Sequence, residues 1–170
     1  WKKIKNCLPS TDSAKIFAEF DNLNVTKFQG LQTVFDGHFE DLTPFVQKMR
    51  LIKSQDEIDK MIVAGQFADK AVKVGFDNIS LNNTETDIIA MIEFEMKKQG
   101  VEKMSFDTMV LTGNNAANPH GIPGTNKIEN NALLLFDLGT DMYGYASDMT
   151  RTVAVGKPDQ FKKDIYNLCL

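Results

Sequence analysis

The sequence predicts an α+β fold with antiparallel strands. Three observations predict it. Two amphipathic helical patterns follow one another in the first half of the chain, each opened by a capping-box sequence. Short β-prone runs bounded by glycine come next, and two of them read as a hairpin. The order is therefore two helices, a strand, a long loop, a hairpin and a helix, without the strand–helix alternation of a parallel sheet.

Residues 1–47 read as the end of a first domain, and 48–170 as part of a second. Ser10 to Leu23 predicts a helix with Ile16, Phe17 and Phe20 on one side, and Leu31 to Phe35 a short strand closed by Asp36-Gly37. These residues are too few to bury a core of their own. The first strong helix opens at Ser54-Gln55-Asp56-Glu57, where a Ser oxygen can accept an orphan N–H and Glu57 can reach back. Ile58, Met61, Ile62, Ala68, Ala71 and Val72 supply its apolar face up to Gly75. Thr84-Glu85-Thr86-Asp87 opens the second helix in the same way; Ile88, Ile89, Ile92 and Met96 form its buried face, and Gly100 is its stop. MSFDTMVLTG, 104–113, predicts a strand, and NNAANPHGIPGTN, 114–126, a loop whose glycines and prolines define its path. Ala132 to Leu138 and Gly144 to Val155 make the hairpin. Pro158-Asp159 starts a last helix with Phe161, Ile165, Leu168 and Cys169 at core-facing spacing. That pattern meets no stop signal before position 170, and the chain opens on Trp1, so a longer parent protein is expected.

Composition narrows the function classes. Hydrophobic residues make up 42% and charged residues 25%, which suits a globular domain. A net charge of −4 supplies no basic field for nucleic acid or an anionic membrane, so neither is expected as a partner. No apolar run approaches the roughly 20 residues of a membrane span. Cys7 and Cys169 lie at opposite ends without metal-type spacing, as expected for reduced thiols in a cytoplasmic protein. The eight methionines fall mostly on helix faces and read as core filler.

The hairpin carries the sharpest chemical signal. Each of its apolar arms holds one carboxylate, Asp137 and Asp148. Opposed residues of a hairpin have position numbers with a constant total. A total of 285 sets the two carboxylates face to face and centres the turn between Met142 and Tyr143, with Asp141 at the tip. Like charges so placed repel, and desolvation worsens it. Protonation of one Asp, an intervening guanidinium, for which Arg151 is the candidate, or a divalent cation held by both relieves this. Spacing alone leaves all three open. His120, in Asn118-Pro119-His120-Gly121, can donate a hydrogen bond or move a proton near neutral pH, and can equally be a surface-loop histidine. Asp107 and His38 read as ordinary polar positions.

The motifs MRLIKSQDEI at 49–58, NPHG at 118–121, FDLG at 136–139 and GYASDMTRTVAVG at 144–156 resemble the metal-dependent pita-bread peptidases. The last motif resembles the Xaa-Pro branch of that family, the Xaa-Pro dipeptidases and aminopeptidases. The resemblance implies the first half of a pita-bread catalytic domain, preceded by a remnant of an N-terminal creatinase-like domain. It implies two divalent metal ions, manganese foremost with cobalt or zinc as alternatives, held by Asp137 and Asp148, and a catalytic role for His120 beside the scissile bond. The implied reaction is hydrolysis of a Xaa-Pro dipeptide at its imide bond by a metal-bridging hydroxide, in a homodimer. A further histidine and two glutamates complete the family's metal site. Their motifs do not occur before position 170, so this stretch alone is expected to be inactive. An aminopeptidase acting on longer peptides, and a non-catalytic domain of the same fold, are the alternatives.

Overall fold

The computed structural model describes residues 15–35 and 37–169. The chain forms two compact units that part between Ser54 and Gln55.

In the first unit, strand β1 (Lys15–Ala18) pairs in parallel with β2 (His38–Asp41), with helix α1 (Val25–Gln32) between them and α2 (Thr43–Leu51) after them. Two expectations are corrected here. The described part of 10–23 holds strand β1 followed by a turn, not a helix; residues 10–14 lie outside the described residues. Lys15–Ala18 alternates in exposure, and its partner lies some twenty residues downstream, which local sequence does not reveal. The strand expected at Leu31–Phe35 is replaced by the end of α1 and a turn. Asn24 caps that helix by accepting the Lys27 N–H at 2.9 Å, and the helical run carries through Gln32. Phe28 stacks edge-on against Phe20 and Phe39, with centroids 5.3 and 5.2 Å away.

The second unit opens with α3 (Gln55–Asp77) and α4 (Glu85–Lys98). Thr84 and Asp87 form the expected capping box, and Gly100, at φ +91°, ends α4. There the Gly100 N–H donates to Lys97 O and the Val101 N–H to Met96 O, both at 3.0 Å, a Schellman close. Helix α3 runs past Gly75 to Asp77. A Cβ at 75 would stand 2.6 Å from the Phe136 ring, so glycine here lets the helix lie close on the sheet.

Two antiparallel three-stranded sheets follow. One orders β4 (Met109–Thr112), β5 (Ala132–Leu138) and β8 (Met149–Val155); the other orders β3 (Lys103–Met104), β6 (Thr140–Met142) and β7 (Tyr145–Ala146). The runs expected as single strands at 104–113 and 144–155 are each divided between the sheets. The hairpin arms cross from one sheet to the other at Gly139 and at Ser147-Asp148. One face of β4-β5-β8, carrying Val110, Leu134, Phe136 and Leu138, packs on Ala64, Ala68 and Ala71 of α3 and on Ile88, Ile92 and Met96 of α4. Each large side chain buried there contributes about 1.5–3 kcal/mol. Helix α5 (Gln160–Leu168) closes the described chain, with Asp159 as its N-cap. Cys169 is an exposed free thiol; Cys7 lies outside the described residues.

Candidate functional site

The hairpin register sets the carboxylates. Asp137 stands opposite Thr150 and Leu138 opposite Met149; Asp141 stands opposite Ala146 and Met142 opposite Tyr145. The position numbers of every pair total 287, not the expected 285. Asp137 and Asp148 are therefore not directly opposed. The cause is the turn: Tyr143 and Gly144 both have positive φ, 57° and 79°, as a two-residue type I′ connection requires. Its centre lies one residue later than expected. Asp141 consequently sits in β6 rather than at the tip, and its Oδ2 meets Lys103 Nζ at 3.2 Å.

A register shift of two residues preserves the face. The same total holds on both sides of the strand break, and the Ser147 N–H donates to Thr140 O at 2.8 Å within it. No residue is inserted, so Asp148 falls opposite Gly139 and shares a face with Thr150 and Asp137. The two carboxylates are diagonal neighbours, a relation that spans about 7–8 Å. Asp137 is half-buried and Asp148 exposed. Thr150 Oγ1 donates to Asp137 Oδ1 at 3.1 Å and orients it. Arg151 stands opposite Phe136, on the other face, and its Nη1 donates to Thr150 O at 2.8 Å. Among the described residues it forms no ion pair with either aspartate.

Hydroxyl groups clamp the strand crossing. Thr140 Oγ1 and Ser147 Oγ both donate to Ala64 O of α3, at 2.8 and 3.1 Å. The Thr140 N–H donates to Ser147 Oγ at 3.0 Å, and Ser105 Oγ donates to Ser147 O at 2.7 Å. A Cβ at Gly139 would fall 2.0 Å from Ser147 O, so only glycine fits. Nearer the tip, Tyr145 Oη donates to Glu57 Oε1 at 3.0 Å, a bond that raises the phenol above its ordinary pKa.

His120 lies on the loop after β4. That loop starts in a 3₁₀ turn (Gly113–Ala117) and tightens where the His120 N–H donates to Asn118 Oδ1 at 3.2 Å and the Gly121 N–H to Asn118 O at 2.9 Å. The imidazole belongs to an exposed residue. Gly121 reports the loop's direction, because a Cβ there would lie 2.8 Å from Leu111 Cδ1. Leu111 opposes Leu135, and Met109 opposes Asp137, so Leu111 is on the aspartate face. The loop thus folds back over the face that bears both carboxylates. A separate cleft of about 460 Å³, lined by Glu93, Met96, Lys97, Lys103, Met104 and Asp107 among others, contains none of the three residues.

Hard divalent cations take carboxylate oxygens, and two carboxylates on one face, one of them held by a threonine hydroxyl, fit part of such a shell. Among the described residues no group of three or more His, Cys, Asp or Glu is placed to hold a metal, so the fit is partial. Sequence reasoning missed Thr150, Thr140, Ser147 and Ser105. The GYASDMTRT run contains two of them, Ser147 and Thr150, but hydroxyl residues in a β-prone segment read as ordinary strand polarity.

The profile of metallopeptidase family M24 matches residues 59–170. An uncharacterized peptidase of Staphylococcus aureus (strain MRSA252) is 41% identical over 157 residues, which is 92% of this chain and 45% of that protein. The solved Xaa-Pro dipeptidase from Bacillus anthracis aligns with a TM-score of 0.86 at 36% identity, over 91% of this chain and 43% of its own. The prolidase from Pyrococcus furiosus aligns with a TM-score of 0.89 at 30% identity, over 99% and 49%. The chain spans less than half the length of each of these relatives. Its α+β architecture is that of a partial pita-bread catalytic domain, and the family implies divalent metal ions for the site. By profile, by sequence identity and by fold, the chain belongs to metallopeptidase family M24.

Proposed function

We propose that the full-length protein is a cytoplasmic, homodimeric Xaa-Pro dipeptidase that cleaves the imide bond before proline with two divalent ions, manganese first. The expected boundary at 47/48 would cut helix α2, so we assign residues up to Ser54 to its N-terminal domain and those from Gln55 onward to the catalytic domain. One observation carries the reading: Asp137, Asp148 and the His120 loop occupy the same face of one sheet, whose other face is sealed by helices.

In this reading Asp137 and Asp148 hold the ions, which supply a water of lowered pKa and a polarised carbonyl when bound. Thr150 fixes the Asp137 carboxylate in one rotamer by donating to it. Imidazole at 120 donates a hydrogen bond to the scissile carbonyl oxygen as charge develops there. The proline nitrogen carries no hydrogen and must gain a proton to leave. Two carboxylates satisfy too little of two coordination shells, so the 170 residues alone are inactive.

The test is hydrolysis of Ala-Pro by the full-length protein with Mn²⁺, compared with Asp137→Ala, Asp148→Ala and the isolated 170-residue stretch. Turnover by the parent alone is expected. Cleavage of Ala-Pro-Ala in preference to Ala-Pro would reassign the protein as an aminopeptidase. Absence of turnover together with no Mn²⁺ binding by calorimetry would make it a binding domain.

A further inference from the structure

We propose that Glu85 is the positioning residue of the His120 loop, a buried carboxylate whose two oxygens tie both limbs of the loop and so set where the imidazole stands. The proposal rests on the reading of His120 given above and deepens it.

Glu85 occupies the first turn of α4, yet its side chain is fully buried. It is not needed to start the helix, because Thr84 and Asp87 already form the capping box. Its oxygens instead take donors from the loop. Oε1 accepts from the Thr112 N–H at 2.8 Å and Asn115 Nδ2 at 3.1 Å. Oε2 accepts from Asn115 Nδ2 at 3.1 Å, the Gly124 N–H at 2.9 Å and Asn126 Nδ2 at 3.0 Å. Thr112 and Asn115 precede His120; Gly124 and Asn126 follow it. Asn115 Nδ2 also reaches Ile122 O at 3.1 Å and joins the limbs directly. The main chain of the helix start repeats the grip, with Thr86 N–H donating to Gly124 O at 3.3 Å and Glu85 N–H to Asn126 O at 3.0 Å. A buried carboxylate is costly unless its lone pairs are filled, and here every partner is an N–H from the loop or, at Thr112, from the strand end that leads into it. Loop and carboxylate therefore hold each other. Loss of the first limb strips Oε1 of both its donors, and loss of the second leaves Oε2 with Asn115 Nδ2 alone, so the ordered loop is the favoured state.

Glu85→Gln keeps the shape but turns an NH₂ toward N–H groups, so one limb must let go. The experiment is a double-mutant cycle in the full-length, Mn²⁺-loaded protein on Ala-Pro, with Glu85→Gln, His120→Ala and the pair. Glu85→Gln is expected to lower kcat by about 10–100-fold with KM within about twofold, the pattern of a group misplaced in the transition state. In the His120→Ala background it should add nothing, since it acts through the imidazole. Amide exchange at Thr112 and Gly124 should accelerate in Glu85→Gln while the Mn²⁺ stoichiometry holds. The same rate factor in both backgrounds, or an unchanged kcat, overturns the proposal. An unchanged kcat in His120→Ala instead sinks the reading of His120, and with it the role assigned to Glu85, even where amide exchange shows the loop loosened. Should Glu85→Gln not fold, Asn126→Ala removes a single donor from an exposed residue and takes its place in the cycle, with a smaller drop in kcat and the same non-additivity.

Discussion

Replacing Gly139 with alanine tests whether the strand crossing sets the carboxylate pair. The new Cβ would lie 2.0 Å from Ser147 O and 2.3 Å from Ser105 Oγ. Relaxed contacts sit near 3.5–4.0 Å, so the arms must part by more than about 1 Å. Ser147 O belongs to the peptide that enters Asp148, so relief moves the backbone of a proposed ligand. Overpacking costs about 1–3 kcal/mol, and loss of the Ser105 hydroxyl bond adds about 1 kcal/mol. A total of about 2–4 kcal/mol follows. Gly75→Ala is the matched control. Its Cβ meets the Phe136 ring at 2.6 Å, a similar clash, but with a side chain on the helix-facing side. Alanine in a helix recovers about 1 kcal/mol over glycine, leaving a net loss of about 0–2 kcal/mol. Urea denaturation and Mn²⁺ calorimetry on the full-length protein separate the two. Both variants should lose stability, and only Gly139→Ala should weaken Mn²⁺ binding, by about 10–100-fold, as changes behind a metal ligand do. Parent affinity in Gly139→Ala, or equal weakening in Gly75→Ala, refutes the argument.

Thr150→Val keeps the side-chain shape and deletes the donor to Asp137. Mn²⁺ affinity should fall about tenfold with stability changed by less than about 1 kcal/mol, read by calorimetry and urea midpoints. Thr140→Val removes a buried hydroxyl from Ala64 O and should cost about 1–3 kcal/mol in urea; no loss would mean that the clamp contributes nothing. The Asp87 carboxyl is held below its ordinary value by the Thr84 N–H first and the Thr84 hydroxyl second. A depressed folded pKa gives stability that is present above the unfolded value, near 3.8, and is lost as pH falls through the lower folded one. The stability gap between the parent and Asp87→Asn should therefore be full at pH 5 and narrow toward about pH 3. A gap that stays constant over that range rules the linkage out.

Elements with local signals were legible, and those set by distant partners were not. The capping box at Thr84, the close at Gly100 and the N-cap at Asp159 each lie within a few residues of what they terminate. Strand β1 depends on a parallel partner beyond a helix, so its Ile16 and Phe17 fit a helical stripe equally well until β2 is known. Glu85 was hidden for a related reason. Amid Thr-Glu-Thr-Asp it reads as a solvated acid at a helix start, and the loop that buries it lies some thirty to forty residues on.

The face of the two aspartates was legible while their pairing was not, because different physics decides each. Face follows from the two-residue period of a strand and survives any even register shift. Pairing follows from the turn, and Tyr143 is a residue whose side chain gives no sign that it will adopt φ 57°. The observed diagonal has a consequence for folding. Directly opposed carboxylates would stand at about 5 Å between Cβ atoms, against roughly 7–8 Å for diagonal ones. Repulsion between unit charges falls with distance, by roughly a third over that change. Apart from the Thr150 bond to Asp137 and the Lys103 pair with Asp141, the hairpin is held by the Thr140 and Ser147 hydroxyls on Ala64 O and by the Tyr145 bond to Glu57, none of which involves an aspartate. Register is thus set by the protein's own bonds, and in the proposed reading cation affinity at Asp137 can be tuned through Thr150 without the fold depending on it.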